Sequence, residues 1–236
     1  MSANTHFAGQ TARLNSFTAI RVDGYALLGA LLRQPPSPEM KRLLSEMQWN
    51  EDLDDDLEEA LTILKEGVVR ISAEEMEMEY FKLFIGLGRG ILIPYGSWYL
   101  EEMIQSGPLA AIRFDLNRLG LVRQAGSYES EDHAGALCET MALLITSDDD
   151  EGSRKQAEFF KSHLYSWLPR FFTDLAAAKE WDFYQMVGIF GRVFMEKESA
   201  YFKSAFPEFS GVSHSQSTQA AKTIEEFHNH DQQRRQ

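Results

Sequence analysis

The chain has 236 residues, 44% of them hydrophobic, which suits one large domain or two small ones with a sizeable core and excludes a disordered chain. Its 36 acidic residues against 23 basic ones give a formal net charge of −13, a balance that repels nucleic-acid phosphate and favours basic partners. Cys138 is the single cysteine, so neither an intrachain disulfide nor a Cys-x-x-Cys metal pair can form, and a reducing compartment is expected.

The first residues, MSANTHF, lack the basic start and apolar run of a signal peptide, and no uncharged apolar run reaches the ~20 residues of a membrane span. A soluble, cytoplasmic protein without a membrane span is expected. From Leu14 to Leu32, Leu14, Phe17, Ile20, Tyr25, Leu28 and Leu31 or Leu32 recur at three- and four-residue spacing, which predicts an amphipathic helix ended by Pro35 and Pro36. Ser37 and Pro38 predict an N-cap and first residue of a short helix through Met47. Between 51 and 59, acidic side chains crowd a helix start, where they favour the positive end of the dipole or await a basic partner.

Ser72 and Glu75 predict a capping box opening a helix that carries Met76, Tyr80, Leu83 and Phe84 and stops at Gly86. A short helix from Ser97 to Gln105 and another from Pro108 to about Gly120 follow, and a polar linker leads from Arg123 to Ser130. A second helical set begins at EDHAGALCETMALLI, continues from Ser153 through FFKSHLYSWLPRFFTDL with a break at Pro169, and closes with DFYQMVGIFGRVFMEKESAYF. With no alternating strand pattern and no repeat, the fold class is all-α: one globular helical domain over 14–206 built from two sets of helices with a hinge near 121–131. Residues 1–13 read as a flexible N-terminus and 207–236 as a polar, mobile tail with helical turns from Thr223 to His228.

The stretch from Glu79 to Glu102 concentrates the punctuation. Tyr80, Leu83 and Phe84 share one helix face, as core residues or as the wall of a groove for an apolar peptide. Gly86, Gly88 and Gly90 permit positive φ or close backbone approach, but they follow a helix and lack the spacing of a dinucleotide loop. Pro94, Tyr95, Ser97, Trp98 and Tyr99 add an aromatic turn, either a peptide-binding wall or a packing corner. Asp132 and His133 open a later helix, as a dipole-favouring acid and a surface histidine or as a polar, ionisable contact beside the groove. Glu129, Asp132, His133 and Glu139 lack the paired Glu-x-x-His pattern of a di-iron bundle, and His228 with His230 is a weak pair, so no metal is expected. No nucleophile elbow, phosphate loop or zinc-protease motif is present; no cofactor and no catalytic residue are expected.

Taken together, YFKLF at Tyr80–Phe84, GLGRGILIPYGSWYL at Gly86–Leu100, EDH at Glu131–His133 and HLYSWLPRF at His163–Phe171 resemble the TorD/DmsD/NarJ family of molybdoenzyme maturation chaperones. Two departures stand out: Ile93 replaces the first proline of the family's Pro-Pro-Tyr, and Ser130 or Glu131 stands at the proline before Asp-His. The resemblance implies a TorD-like bundle that binds the twin-arginine signal peptide and apoprotein of a molybdenum oxidoreductase, holding it for cofactor insertion and delaying export. It also implies a route to homodimers by exchange of helical halves. The peptide-binding residues carried over are Tyr80, Leu83, Phe84, Pro94, Tyr95, Ser97, Trp98, Asp132 and His133. Each buried apolar side chain is worth ~1.5 to 3 kcal/mol and an exposed arginine–carboxylate pair ~1 kcal/mol or less, so Leu83 and Phe84 are expected to set affinity and Asp132 to select arginine. The alternatives are a helical adaptor for another protein partner and a helical enzyme using Asp132 and His133 as an acid–base pair.

Overall fold

A computed structural model describes residues 16–48, 53–86, 90–122, 129–147, 152–178 and 182–207. The sequence readings for 1–13, for the linker at 123–128 and for the segment from 208 onward, including Thr223 to His228, lie outside the described residues. Ten α-helices follow one another among the described residues: α1 Ser16–Arg33, α2 Pro38–Glu46, α3 Asp55–Arg70, α4 Ala73–Tyr80, α5 Gly96–Glu101, α6 Gly107–Arg118, α7 Ala134–Thr146, α8 Gly152–His163, α9 Leu168–Ala176 and α10 Asp182–Ala205. A π-helical turn, Phe81–Ile85, extends α4. The fold is all-α, as the spacing predicts, and no described helix is long and apolar enough to cross a membrane.

Local chemistry explains most of the boundaries. Ser37 accepts a bond from Met40 N and Pro38 stands at the first position of α2. Asp54 caps α3 by accepting from Leu57 N, and Lys197 from α10 reaches both Asp54 and Asp56. The basic partner of this acidic run thus comes from the same chain. Ser72 and Glu75 form the reciprocal capping box of α4, and Pro169 stands at the start of α9, dividing it from α8.

The two sets of helices are interleaved in space. The first helix, α1, packs chiefly on α7 from the second set, while α10 packs on α9, α3, α4 and α1. Gly188 makes the α9–α10 approach possible, because a Cβ there would stand 2.2 Å from Ala176 N and 2.6 Å from the Leu175 carbonyl carbon. Phe171, Phe172, Leu175, Phe183, Tyr184, Val187, Phe190 and Phe194 then close a core rich in aromatic edge-to-face contacts.

Two buried polar contacts set the register of this interleaving. Arg21 on α1 donates from Nε to Glu198 Oε1 at 2.6 Å, from NH2 to Glu198 Oε2 at 2.9 Å and from NH1 to Gln156 Oε1 at 3.0 Å, joining α1, α8 and α10. Its guanidinium also lies 4.4 Å from the Tyr201 ring centroid. Glu79 on α4 accepts from Phe183 N and Tyr184 N, each at 3.1 Å, and so satisfies the open donors at the start of α10. Burial pushes the Glu79 carboxyl up against the lowering effect of those two bonds.

Replacing Arg21 with Ala is expected to destabilise the protein by about 3–5 kcal/mol, because Glu198 is left buried and unpaired. Arg42→Ala breaks only an exposed α2 pair with Glu46 and is expected to cost less than about 1 kcal/mol. Urea unfolding of both variants measures the difference. Equal midpoints would show that the Arg21 clasp adds nothing to stability.

Candidate functional site

The π turn redirects the chain at the start of the glycine-rich loop. Gly86 N bonds to Phe81 O at 2.7 Å, one residue further than in an α-helix, and Gly86 takes φ 59°. Leu83 and Phe84 turn into the core at 0% and 9% exposure, while Phe81, Ile85 and Ile91 stand about half exposed. The loop then folds back: Leu92 N bonds to Leu83 O at 2.9 Å, and a Cβ on Gly90 would lie 2.5 Å from that same carbonyl oxygen. Only glycine permits so close an approach.

Pro94–Ser97 and Asp132–Ala134 are stitched into one corner. Gly96 N bonds to Asp132 O and Ala134 N to Pro94 O, both at 2.8 Å, around a bridge between Tyr95 and His133. The fully buried Asp132 carboxylate accepts from Ser97 N at 3.0 Å and from the hydroxyls of Ser97 and Ser130. His133, 3% exposed, accepts from Gly135 N at its Nδ1 and caps α7. Its ring meets Tyr95 edge-on at 5.0 Å. Burial lowers its pKa to about 4, with Arg33 reinforcing the shift and Glu129 opposing it, so the ring is neutral at pH 7.

The remaining motifs close on the same corner. Tyr95 donates its hydroxyl to Glu129, and burial with that carboxylate pushes its pKa up. Tyr80 is buried against Phe84 and Tyr184, with its pKa raised to about 12 chiefly by burial. Phe84 in turn faces Phe171 at 6.4 Å. Tyr99 packs at a tilt against Trp167, ring centroids 5.4 Å apart, donates to Asp174 Oδ2 at 2.9 Å and lies under Arg170. Trp167 donates to the carbonyl of His163, whose Nε2 stands 2.8 Å from Asp115 Oδ2 on α6.

This geometry corrects several expectations. Asp132 and His133 are neither surface residues nor open ionisable contacts, because the acid is consumed by Ser97 and Ser130 and the imidazole by α7. Their bonds point to different partners, which removes the geometry of an acid–base pair. The Asp132 carboxylate also has no exposed face with which to select arginine. Tyr80, Leu83 and Phe84 lie in the core, so their shared helix face meets protein and not solvent. Of the nine residues, Tyr95 and Trp98 keep partial exposure, while Pro94 and Ser97 are buried beside the bridge. Among the described residues no group of three or more His, Cys, Asp or Glu side chains could hold a metal ion; Glu139 instead faces Arg33 at 3.4 Å. Cys138 is fully buried, and burial pushes its thiol pKa up, away from nucleophilic reactivity.

The family model for the nitrate reductase delta subunit matches residues 50–173, more than half of the chain. The chain belongs to this family. Similar proteins include a chaperone protein TorD of Aliivibrio salmonicida, 25% identical over 203 residues that cover 78% of this chain and 94% of the relative. A chaperone protein TorD of Aliivibrio fischeri is 24% identical over 67% of this chain and 83% of its own length. One from a Psychrobacter species is 30% identical over 42% of this chain and 48% of its own length. The delta-subunit match spans all four motifs, Tyr80–Phe84, the aromatic turn, Asp132–His133 and His163–Phe171, and these are the segments that meet at the corner.

Sequence reasoning missed the outward residues of this family member. Phe81 and Ile91 lie inside the quoted motifs and Ile85 just after the first, but none is a residue the resemblance carries over, and the π turn that holds Phe81 and Ile85 has no propensity signature. The Tyr95–Glu129 bond was equally hidden, since Glu129 lies 34 positions away.

Phe84→Ala is expected to cost about 3–5 kcal/mol in urea unfolding, as for a buried aromatic, whereas Phe81→Ser stays within about 0.5 kcal/mol of the parent. The His133 pKa gives a pH signature. The unfolded ring takes up its proton near pH 6.5 and the folded ring only near 4, so stability is fully present above pH 6.5 and is lost as the pH falls toward 4, by on the order of 3 kcal/mol. His133→Asn, which keeps a capping side chain, is expected to flatten that loss relative to the parent in urea midpoints taken between pH 7.5 and about 5. An unchanged slope would mean that His133 is not held neutral by burial.

Proposed function

We propose that the protein is a cytoplasmic maturation chaperone that holds the apo form of a molybdenum oxidoreductase, with its twin-arginine signal peptide, until cofactor insertion is complete, delaying export. Family membership and the relatives named as TorD chaperones support this reading. The observation that carries it is the convergence of the family motifs on one corner whose partly exposed rim is aromatic and acidic.

Within that reading the nine motif residues divide their work. Tyr95 and Trp98 contact the peptide from the rim, joined by the exposed Phe81, Ile85 and Ile91 and by the Glu129 carboxylate. Tyr80, Leu83, Phe84, Pro94, Ser97, Asp132 and His133 hold that rim in place from beneath. Affinity comes from apolar burial on the rim, at ~1.5 to 3 kcal/mol per side chain before ordering costs. The surplus of carboxylates supplies the attraction for paired arginines.

Isothermal titration of a twin-arginine leader peptide of a molybdenum oxidoreductase into the full chain tests the proposal. Saturable binding is expected, weakened about tenfold by Phe81→Ser with Ile91→Ser at unchanged thermal stability. Absence of binding at millimolar peptide would sink the reading. A loss confined to Phe84→Ala or Asp132→Asn, accompanied by lower stability, would return these motifs to a purely structural role.

A further inference from the structure

The corner that closes α5 combines exposure, strain and rigid support. Leu100, Glu101, Glu102, Met103 and Ile104 are consecutive and all exposed, with Leu100 at 40%, Met103 at 62% and Ile104 at 44%. Glu102 and Gln105 hold φ of 55° and 61°, left-handed values that cost non-glycine residues free energy. Soluble surfaces scatter single apolar side chains, but three within five residues on a strained turn form a concentrated projection.

The strain is held by a hydrogen-bond chain that starts in the core. The Ser97 hydroxyl donates to the buried Asp132 carboxylate and accepts from Gln105 N at 3.2 Å, while Glu102 N bonds to Trp98 O at 2.9 Å. Ser106 ties back to the Met103 carbonyl at 3.0 Å. Four bonds thus fix the direction in which Met103 and Ile104 project. Such a rigid projection loses little conformational freedom when a partner covers it.

Charge selects the partner. Glu101 leans on the start of α6, its carboxylate oxygen 3.2 Å from the Cβ position of Gly107, where the helix dipole favours it. Glu102 is exposed beside Met103, on a chain whose net charge is −13. We propose that Leu100–Ile104 is a second docking surface, separate from the Tyr95 rim, and that it takes a protein segment in which bulky apolar side chains lie beside arginine or lysine. Met103 and Ile104 cover the apolar side chains, and Glu102 meets the cation. The inference rests on the reading above only in taking the partner to be a client polypeptide.

The test uses the full chain and a fluorescein-labelled synthetic peptide with an Arg-Arg pair followed by leucines, beside a counterpart with Glu-Glu in its place. Met103→Ser with Ile104→Ser is expected to weaken anisotropy binding of the Arg-Arg probe about tenfold at an unchanged thermal midpoint. Glu102→Gln is expected to weaken it about threefold and to lower its salt dependence. Equal binding of the two probes by the parent chain would overturn the charge assignment. Parent-like binding by the Met103/Ile104 variant, with loss in the Phe81/Ile91 variant, would overturn this surface and leave the chaperone reading intact. Failure of the parent chain to bind the Arg-Arg probe would remove both.

Discussion

The buried carboxylate of Asp132 is the constraint on which the functional corner depends. A charge removed from water is tolerated only when its acceptors are filled, and here one backbone N–H and two serine hydroxyls fill them. Each of those bonds also positions something else. The Ser97 bonds lock the start of α5, the Ser130 bond sets the entry to α7, and through Ser97 the same network reaches Gln105 at the exposed turn. One acid therefore aligns the aromatic turn, the second helical set and the α5–α6 corner.

The surrounding framework relies on the same rule at larger scale. Arg21 and Glu79 bridge segments separated by more than a hundred positions, and both act at places where α10 would otherwise leave polar groups unsatisfied or unregistered. Hydrophobic burial supplies most of the stabilisation but is nondirectional, so it would tolerate small slips of α10 along α1 and α9. The guanidinium fork and the Glu79 cap are directional. They fix one alignment, and with it the position of Tyr184 against Tyr80 and Phe84 beneath the corner.

Chaperone chemistry asks for a surface that is apolar enough to hold a client segment and polar enough to stay in water. A rigid base with exposed apolar side chains on a turn meets both demands, because the base already carries the ordering cost before a partner arrives. The acidic excess adds long-range attraction for cationic segments, which falls with salt, while the apolar contacts do not. Tyr95 illustrates the join between the two: its hydroxyl is bound to Glu129 and its ring to His133, leaving a partly exposed aromatic edge beside a carboxylate.

The amino-acid sequence by itself determined the helical class, most helix boundaries and the family. Periodicity, the Ser37 and Ser72 caps, the helix start at Pro38 and the break at Pro169 are local effects, readable within four or five residues. The motifs at Tyr80–Phe84, Pro94–Ser97, Asp132–His133 and His163–Phe171 were equally legible as strings. What only the tertiary structure decided is which way their side chains face. Tyr80, Leu83, Phe84, Asp132 and His133 are buried because other segments close over them, whereas Phe81 and Ile85 emerge on the π turn that extends α4 and Ile91 emerges beyond it. Burial is a property of contacts between distant segments, and the free energy that sets it has no counterpart in local spacing.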